Sequence, residues 1–83
     1  MNLVTESRTQ PPVLRLRLDE FDRLTGDKGW TTDAERARRL GVSDRLVSHL
    51  RVGRTEPGLK FVDACIRAFG PGAYDVLFER AAE

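Results

Sequence analysis

The sequence has little of the chemistry that cross-links, metal sites and catalysis require. It contains one cysteine and one histidine among 83 residues. Cys65 has no second thiol to pair with, and with His49 alone it does not make a metal site. Its helical spacing from Val62, Ile66 and Phe69 predicts a small packing residue. No catalytic constellation is found, so we predict that the protein is not an enzyme and uses no metal, cofactor or small-molecule substrate.

Long apolar runs are also missing. A transmembrane helix needs about 18 consecutive apolar residues, and the chain has no such run. Residues 1–12 lack the basic stretch and apolar run of a secretory signal. A hydrophobic content of 40% and a charged content of 33% are typical of one small globular domain. We expect a cytoplasmic protein without a membrane partner, either nucleoid-associated in a bacterium or phage-encoded in its host.

The charges are unevenly distributed although the net charge is only +1. Residues 36–54 carry six arginines, opposed only by Asp44. Acidic residues cluster at positions 19–27 and again at 75–83. A basic middle between acidic ends predicts a polarised surface, which would suit a nucleic-acid partner if the motifs agree.

Apolar periodicity predicts an all-α fold, a compact bundle of about five short helices with no substantial sheet. The predicted helices span residues 20–28, 33–40, 44–52, 59–69 and 73–82. Residues 1–12 are interpreted as a flexible arm and residues 13–83 as the domain. Residues 13–18 alternate apolar and basic side chains, which favours an extended segment, with Asp19 capping the helix that follows. The alternative is an earlier helix start, because Leu14, Leu18 and Phe21 also share helical spacing.

The most informative stretch is residues 33–52. Thr32 and Glu35 have the spacing of a capping box at a helix start. Gly41 supplies the left-handed conformation that a tight turn needs, and Ser43 is a good cap for the next helix. Val47 and Leu50 would bury the inner side of that helix, which leaves its outer side free.

These residues resemble the Cro/repressor-type family, also called XRE-type. The resemblance rests on residues 29–43, with the turn Leu40-Gly41-Val42-Ser43, and on residues 46–50, and it extends over about residues 19–80. It implies a lambda-repressor-like fold with a helix-turn-helix that binds double-stranded DNA. The implied function is a sequence-specific transcriptional regulator, a repressor or phage-type switch, and the closing residues 74–79 are similar to small actinobacterial and phage members.

The resemblance also implies roles for individual residues. The helix over residues 44–52 would enter the major groove. Its base-contacting side chains would be Asp44, Arg45, Leu46, Ser48 and His49. The phosphate-contacting side chains would be Ser43, Arg54, Thr55, Lys60, Arg38 and Arg39. A guanidinium can bond guanine O6 and N7 together, which makes the arginine at position 45 the strongest candidate.

Two positions depart from the family pattern. Asp33 stands where members often carry a glutamine that contacts a phosphate, and a carboxylate placed there would repel one. At the start of a helix it would instead interact favourably with the helix dipole. Arg36 stands where an apolar residue is frequent, so we expect it to weaken the inner stripe of its helix. Arg51 is compatible with a phosphate contact or with an ion pair.

Two further hypotheses concern partners. A lone extended segment at residues 14–18 would leave backbone groups unpaired, which favours pairing with its copy in a homodimer. The arm around Arg8, Arg15 and Arg17 would alternatively reach into a minor groove. The alternative function is a protein-interaction module, such as an antitoxin-like or adaptor protein, with an exposed apolar surface at residues 74–78 or 14–18.

Overall fold

A computed structural model describes residues 13–81 of the chain. The predicted arm over residues 1–12, which includes Arg8, lies outside the described residues. The same holds for Ala82, the last residue of the predicted fifth helix, and for Glu83. The elements in chain order are β1 (Val13–Leu16), α1 (Leu18–Asp27), α2 (Asp33–Leu40), α3 (Asp44–Arg51), α4 (Leu59–Phe69), α5 (Ala73–Leu77) and β2 (Phe78–Ala81). The described chain is therefore a small, mostly helical domain, as predicted, but it also contains a sheet.

The two strands correct the all-α prediction. β1 pairs antiparallel with β2, and Leu16 lies opposite Phe78. The predicted helix over residues 73–82 is wrong beyond Leu77, because the chain becomes extended there and its backbone groups bond to β1. β1 thus finds its partner within the chain, so the reason for expecting it to pair with a second subunit is also wrong. An ion pair joins Arg17, the residue after β1, to Glu79 of β2, with 3.3 Å between Nε and Oε1.

Two of the three helix caps predicted from the sequence are present in the structure. Thr32 and Ser43 cap α2 and α3, where their hydroxyl oxygens accept from the amides of Glu35 and Leu46 at 3.1 Å. In contrast, α1 begins at Leu18, so Asp19 is inside the helix and does not cap it. The extended segment is consequently shorter than predicted, four residues in β1.

One apolar core holds the elements together. Phe61 of α4 lies at its centre, with ring-centroid distances of 5.9 Å to Phe21 and 6.1 Å to Phe78. Trp30 is buried against Phe69 at 5.7 Å. The inner side of α4 is formed by Phe61, Val62 and Cys65. Leu59 shares the helical spacing of Val62, Ile66 and Phe69, which predicts an inward side chain, but it is 84% exposed and faces outward.

Candidate nucleic-acid interface

Helices α2 and α3 pack directly against each other and form one surface of the domain. Ala37 and Leu40 are the buried residues of α2, and Val47 and Leu50 are those of α3. Ala37 is completely buried, which agrees with the requirement for a small side chain where two helices approach closely. Each helix thus packs one side against the core, and its other side faces outward.

The turn between the two helices depends on Gly41. Its φ of 74° and ψ of 29° lie in the left-handed region, which residues with a Cβ adopt only at a cost. The amide of Gly41 donates to the carbonyl of Arg38, and the amide of Val42 donates to that of Ala37 at 2.9 Å. These two bonds satisfy carbonyls that the end of a helix leaves free. The turn is short and fully bonded, so it fixes the direction in which α3 leaves α2.

The predicted base-contacting residues differ in their solvent exposure. Asp44, Arg45 and Ser48 are exposed on the outer side of α3. His49 is half-buried, and its carbonyl accepts from the amide of Arg54 at 2.8 Å. Leu46 is half-buried against the core. The surface of α3 that a ligand would meet first is therefore made by the three exposed residues.

Four of the predicted phosphate-contacting residues are exposed at the start of α3 or after its end. Arg54, Thr55 and Lys60 are exposed in or after the segment that joins α3 to α4, and Ser43 is exposed at the start of α3. Ser43 already uses its oxygen as the cap, which leaves its O–H free to donate. Ser43 thus lies at the start of α3, and Arg54 and Thr55 lie shortly after its end.

Arg38 and Arg39 lie on the outer side of α2 and share one carboxylate. Their Nη2 atoms are 3.9 Å and 3.5 Å from Oε2 of Glu35. Both guanidinium groups are at least half exposed, and exposed pairs of this kind contribute little. Both arginines are therefore available to an anionic partner.

Arg51, at the end of α3, is held by two carboxylates from two other helices. Its Nη1 and Nη2 donate to Asp22 of α1 at 3.1 and 2.8 Å. Its Nε and Nη2 donate to Asp33 of α2 at 2.8 Å each. The sequence left Arg51 compatible with a phosphate contact or with an ion pair, and the structure shows the ion pair. Because bidentate pairs fix geometry as well as charge, Arg51 ties α3 to both α1 and α2.

Arg36 belongs to the same cluster. Its Nη1 donates to Asp33 at 2.7 Å, and its Nε donates to the hydroxyl of Thr25 at 2.7 Å. The Thr25 side chain is fully buried and donates in turn to the carbonyl of Phe21. Arg36 is accommodated at this expected apolar position, because its side chain is only 11% exposed and its Nε and Nη1 both have hydrogen-bond partners. We refer to Asp22, Asp33, Arg36 and Arg51 as the four-residue clamp.

The clamp shifts the pKa values of three of its members, Asp22, Asp33 and Arg51. Hydrogen bonds from Arg51 hold the pKa values of Asp22 and Asp33 below their ordinary range, although partial burial opposes the shift. The two carboxylates raise the pKa of Arg51 in return. Asp22, Asp33 and Arg51 are thus charged at neutral pH, and Asp33 is bonded to two arginines rather than directed at a phosphate.

Sequence reasoning missed Asp22 and Thr25. One signal was present: Thr25 lies four residues after Phe21, on the inner side of α1, and a buried hydroxyl needs a partner. Arg36 at an expected apolar position could have supplied that partner. Nothing in the local sequence pairs Asp22 with Arg51, because 29 positions separate them.

A second surface feature is a groove beside β1 with a volume of about 580 Å³. It is lined by β1, by Leu18, by residues 50–53 and by residues 55–57. Val52 is 71% exposed at this groove, whereas Leu14 and Leu16 are half-buried.

Two classes of site are not seen in the part of the chain that the structure describes. Within residues 13–81, no three or more His, Cys, Asp or Glu side chains are grouped so as to hold a metal ion. None of the helices in that range is both long and apolar enough to cross a membrane. Cys65 is fully buried, and burial raises the pKa of its thiol to about 12.

Comparison of the chain with protein-family models, curated proteins and solved structures finds no match.

Proposed function

We propose that this protein is a sequence-specific DNA-binding transcriptional regulator with a helix-turn-helix formed by α2, the Gly41 turn and α3. The observation that carries the proposal is α3 itself, a helix whose inner side is buried and whose outer side is exposed and basic at Arg45. An α-helix with its side chains is about 10–12 Å across, which fits a major groove about 12 Å wide, and α3 has eight residues to lay along it. The lambda-repressor-like arrangement of the whole bundle is part of the same proposal.

In the proposed mechanism, one set of residues contacts the bases and another set positions α3 on the phosphate backbone. Arg45 would bond a guanine, while Ser48 and Asp44 would contact neighbouring base edges. His49 and Leu46 would contribute through the parts of their side chains that are not packed. The phosphate-contacting residues would fix the register of the helix without reading sequence; these are Ser43, Arg54, Thr55, Lys60, Arg38 and Arg39. Occupation of a promoter would then exclude polymerase, which is the action of a repressor or phage-type switch.

The charge distribution supports this assignment. Arg45 and Arg54 make no ion pair with the residues that the structure describes. Charge left unpaired beside an exposed helix raises the local potential and attracts a polyanion. The modest net charge of +1 does not by itself oppose DNA binding, because some of the acidic residues are paired with arginines, as Asp22 and Asp33 are in the clamp.

The experiment is selection of bound duplexes from a randomised DNA pool near physiological salt. We expect the wild type to enrich a defined sequence. Arg45→Ala should relax one base position of it, at a cost of about 1–3 kcal/mol of discrimination. Arg67→Ala is the matched control, because Arg67 is exposed on α4 and, among residues 13–81, pairs with Asp63 on its own helix. Weak binding without enrichment, lost as salt rises, would mean that only counterion release drives the contact.

We also propose that the protein binds DNA as a homodimer, since helix-turn-helix proteins commonly occupy two half-sites about one helical turn apart. An enriched sequence with two-fold symmetry, together with a dimer mass in sedimentation, is the expected result. A single half-site and a monomer mass with and without DNA would remove the dimer but keep the function.

The second candidate function is a protein-interaction module, and the groove beside β1 favours it. The apolar surfaces first suggested for such a role are largely packed, because Leu77 and Phe78 are buried and Tyr74 is 37% exposed. The groove would then be the contact surface. Val52→Asp, which places a charge in the groove, should abolish partner capture and leave duplex selection unchanged if this candidate operates beside DNA binding.

A further inference from the structure

We infer that the four-residue clamp determines DNA specificity by withholding Arg51 from the phosphate backbone while it holds α3 at a fixed angle. This inference rests on the proposed function. It makes Asp22 and Asp33 specificity determinants that act through α3 without touching DNA.

The first step concerns where Arg51 lies. Residues three and four apart share one side of a helix, so Asp44, Ser48 and Arg51 form a single row along α3. Asp44 and Ser48 are exposed in that row, and Arg51 borders them with its side chain 31% exposed. An arginine has a long, flexible stem, and a free one at this border would reach an anion lying along α3.

The second step concerns why Arg51 is not free. Four hydrogen bonds of 2.8–3.1 Å join its guanidinium to Asp22 and Asp33. Both carboxylates are ionised at neutral pH, and their two oxygens match the planar fork of a guanidinium. Arg51 would have to break both bidentate contacts in order to bind a phosphate.

The third step concerns Arg36. It is bonded to Asp33 and to the buried hydroxyl of Thr25, and it is almost entirely covered. Loss of the two carboxylate charges would therefore release Arg51 outward, while Thr25 would still hold Arg36. One additional phosphate contact, rather than two, is expected from dismantling the clamp.

The clamp therefore affects two kinds of binding in opposite directions, contacts to phosphates and contacts to bases. A contact to phosphate carries no sequence information and strengthens binding to every duplex. A fixed angle of α3 serves the base contacts of Arg45, whose bidentate geometry tolerates little displacement. The clamp thus lowers affinity for random DNA and preserves affinity for the chosen sequence, so the ratio between the two depends on it.

The test uses the Asp22→Asn/Asp33→Asn double variant and fluorescence anisotropy with two duplexes, the selected sequence and a scrambled one. Asp63→Asn/Asp75→Asn is the matched control, because it makes the same change in net charge at exposed carboxylates of α4 and α5. Thermal melts define a temperature at which every variant is folded.

For the scrambled duplex we expect the double variant to bind more tightly than the control. The slope of log K against log salt should become steeper by about one, the value for one new phosphate contact. The ratio of selected to scrambled affinity should fall about tenfold, within the range that one bidentate base contact supplies. An unchanged slope and an unchanged ratio relative to the control would overturn the inference.

Arg51→Gln separates withholding from direct contact. Removal of a withheld arginine leaves the salt slope for the scrambled duplex unchanged and lowers only the selectivity ratio. If the slope instead becomes shallower by about one, Arg51 already contacts phosphate in the wild type and the inference is wrong. Failure of the proposed function looks different: the wild type itself would then select no duplex.

Discussion

Replacing Gly41 with alanine is expected to destabilise the domain through backbone strain alone. A Cβ built on Gly41 meets no heavy atom within 4 Å, so no clash contributes. The left-handed conformation costs a residue with a Cβ about 1–2 kcal/mol. The lower entropy of the unfolded chain returns about 0.4–1 kcal/mol. The net loss is therefore about 1 kcal/mol, which shifts the melting temperature of a domain of this size by about 4–8 °C.

Gly26→Ala is the matched control, because Gly26 lies in α1 with open space around it and without a positive φ. Alanine in a helix is favoured over glycine, so this substitution should stabilise the domain by about 0.5 kcal/mol. Urea unfolding followed by circular dichroism measures both variants. Equal shifts of the same sign, or a Gly41→Ala variant as stable as the wild type, would refute the account of the turn.

Three further outcomes follow from the buried and paired groups. Because the pKa values of Asp22 and Asp33 are lowered on folding, their contribution is present above the unfolded value near 4 and is lost as pH falls through the folded values. Between pH 5 and 2 the free energy of unfolding should therefore fall by about 1 kcal/mol less in the Asp22→Asn/Asp33→Asn variant than in the wild type, after allowance for solvent screening. Parallel curves of unfolding free energy against pH would contradict this. Cys65, whose thiol pKa is raised to about 12, should resist iodoacetamide at pH 8 in the folded protein and react fully in denaturant, whereas rapid native labelling would show that the site opens. Phe61→Ala should cost about 3–5 kcal/mol and Leu59→Ala, on the same helix, less than about 0.5, measured by urea unfolding; comparable losses would mean that the inner side of α4 is misassigned.

The helices around the candidate interface were predictable because their signals are local. Thr32 and Ser43 cap the two helices, and Gly41 is the residue that a left-handed turn requires. Val47 and Leu50 share the spacing of one helix side, and both are buried. Caps, turns and periodicity act within four residues, so a single sequence carries them.

The sheet and the clamp were not predictable, because both join residues that are far apart in the chain. β1 pairs with β2 across 62–68 positions, and the apolar residues of β2, Phe78 and Ala81, are three apart, which favours a helix over an extended segment. Arg51 meets Asp22 across 29 positions. The sequence presented Asp33 and Arg36 as departures from a familiar pattern, and their pairing explains both only after the three helices are packed.

The central claim, that α3 presents the DNA-binding surface, is tested most directly by titrating the ¹⁵N-labelled protein with duplex DNA and recording amide chemical-shift changes. The account predicts that the largest changes occur in α3, especially at Arg45 and Ser48, and in the segment after it at Arg54. The amides around Asp63 and Arg67, on the outer side of α4, should change little. Changes centred on α4 and α5, or no changes at low salt, would contradict the claim.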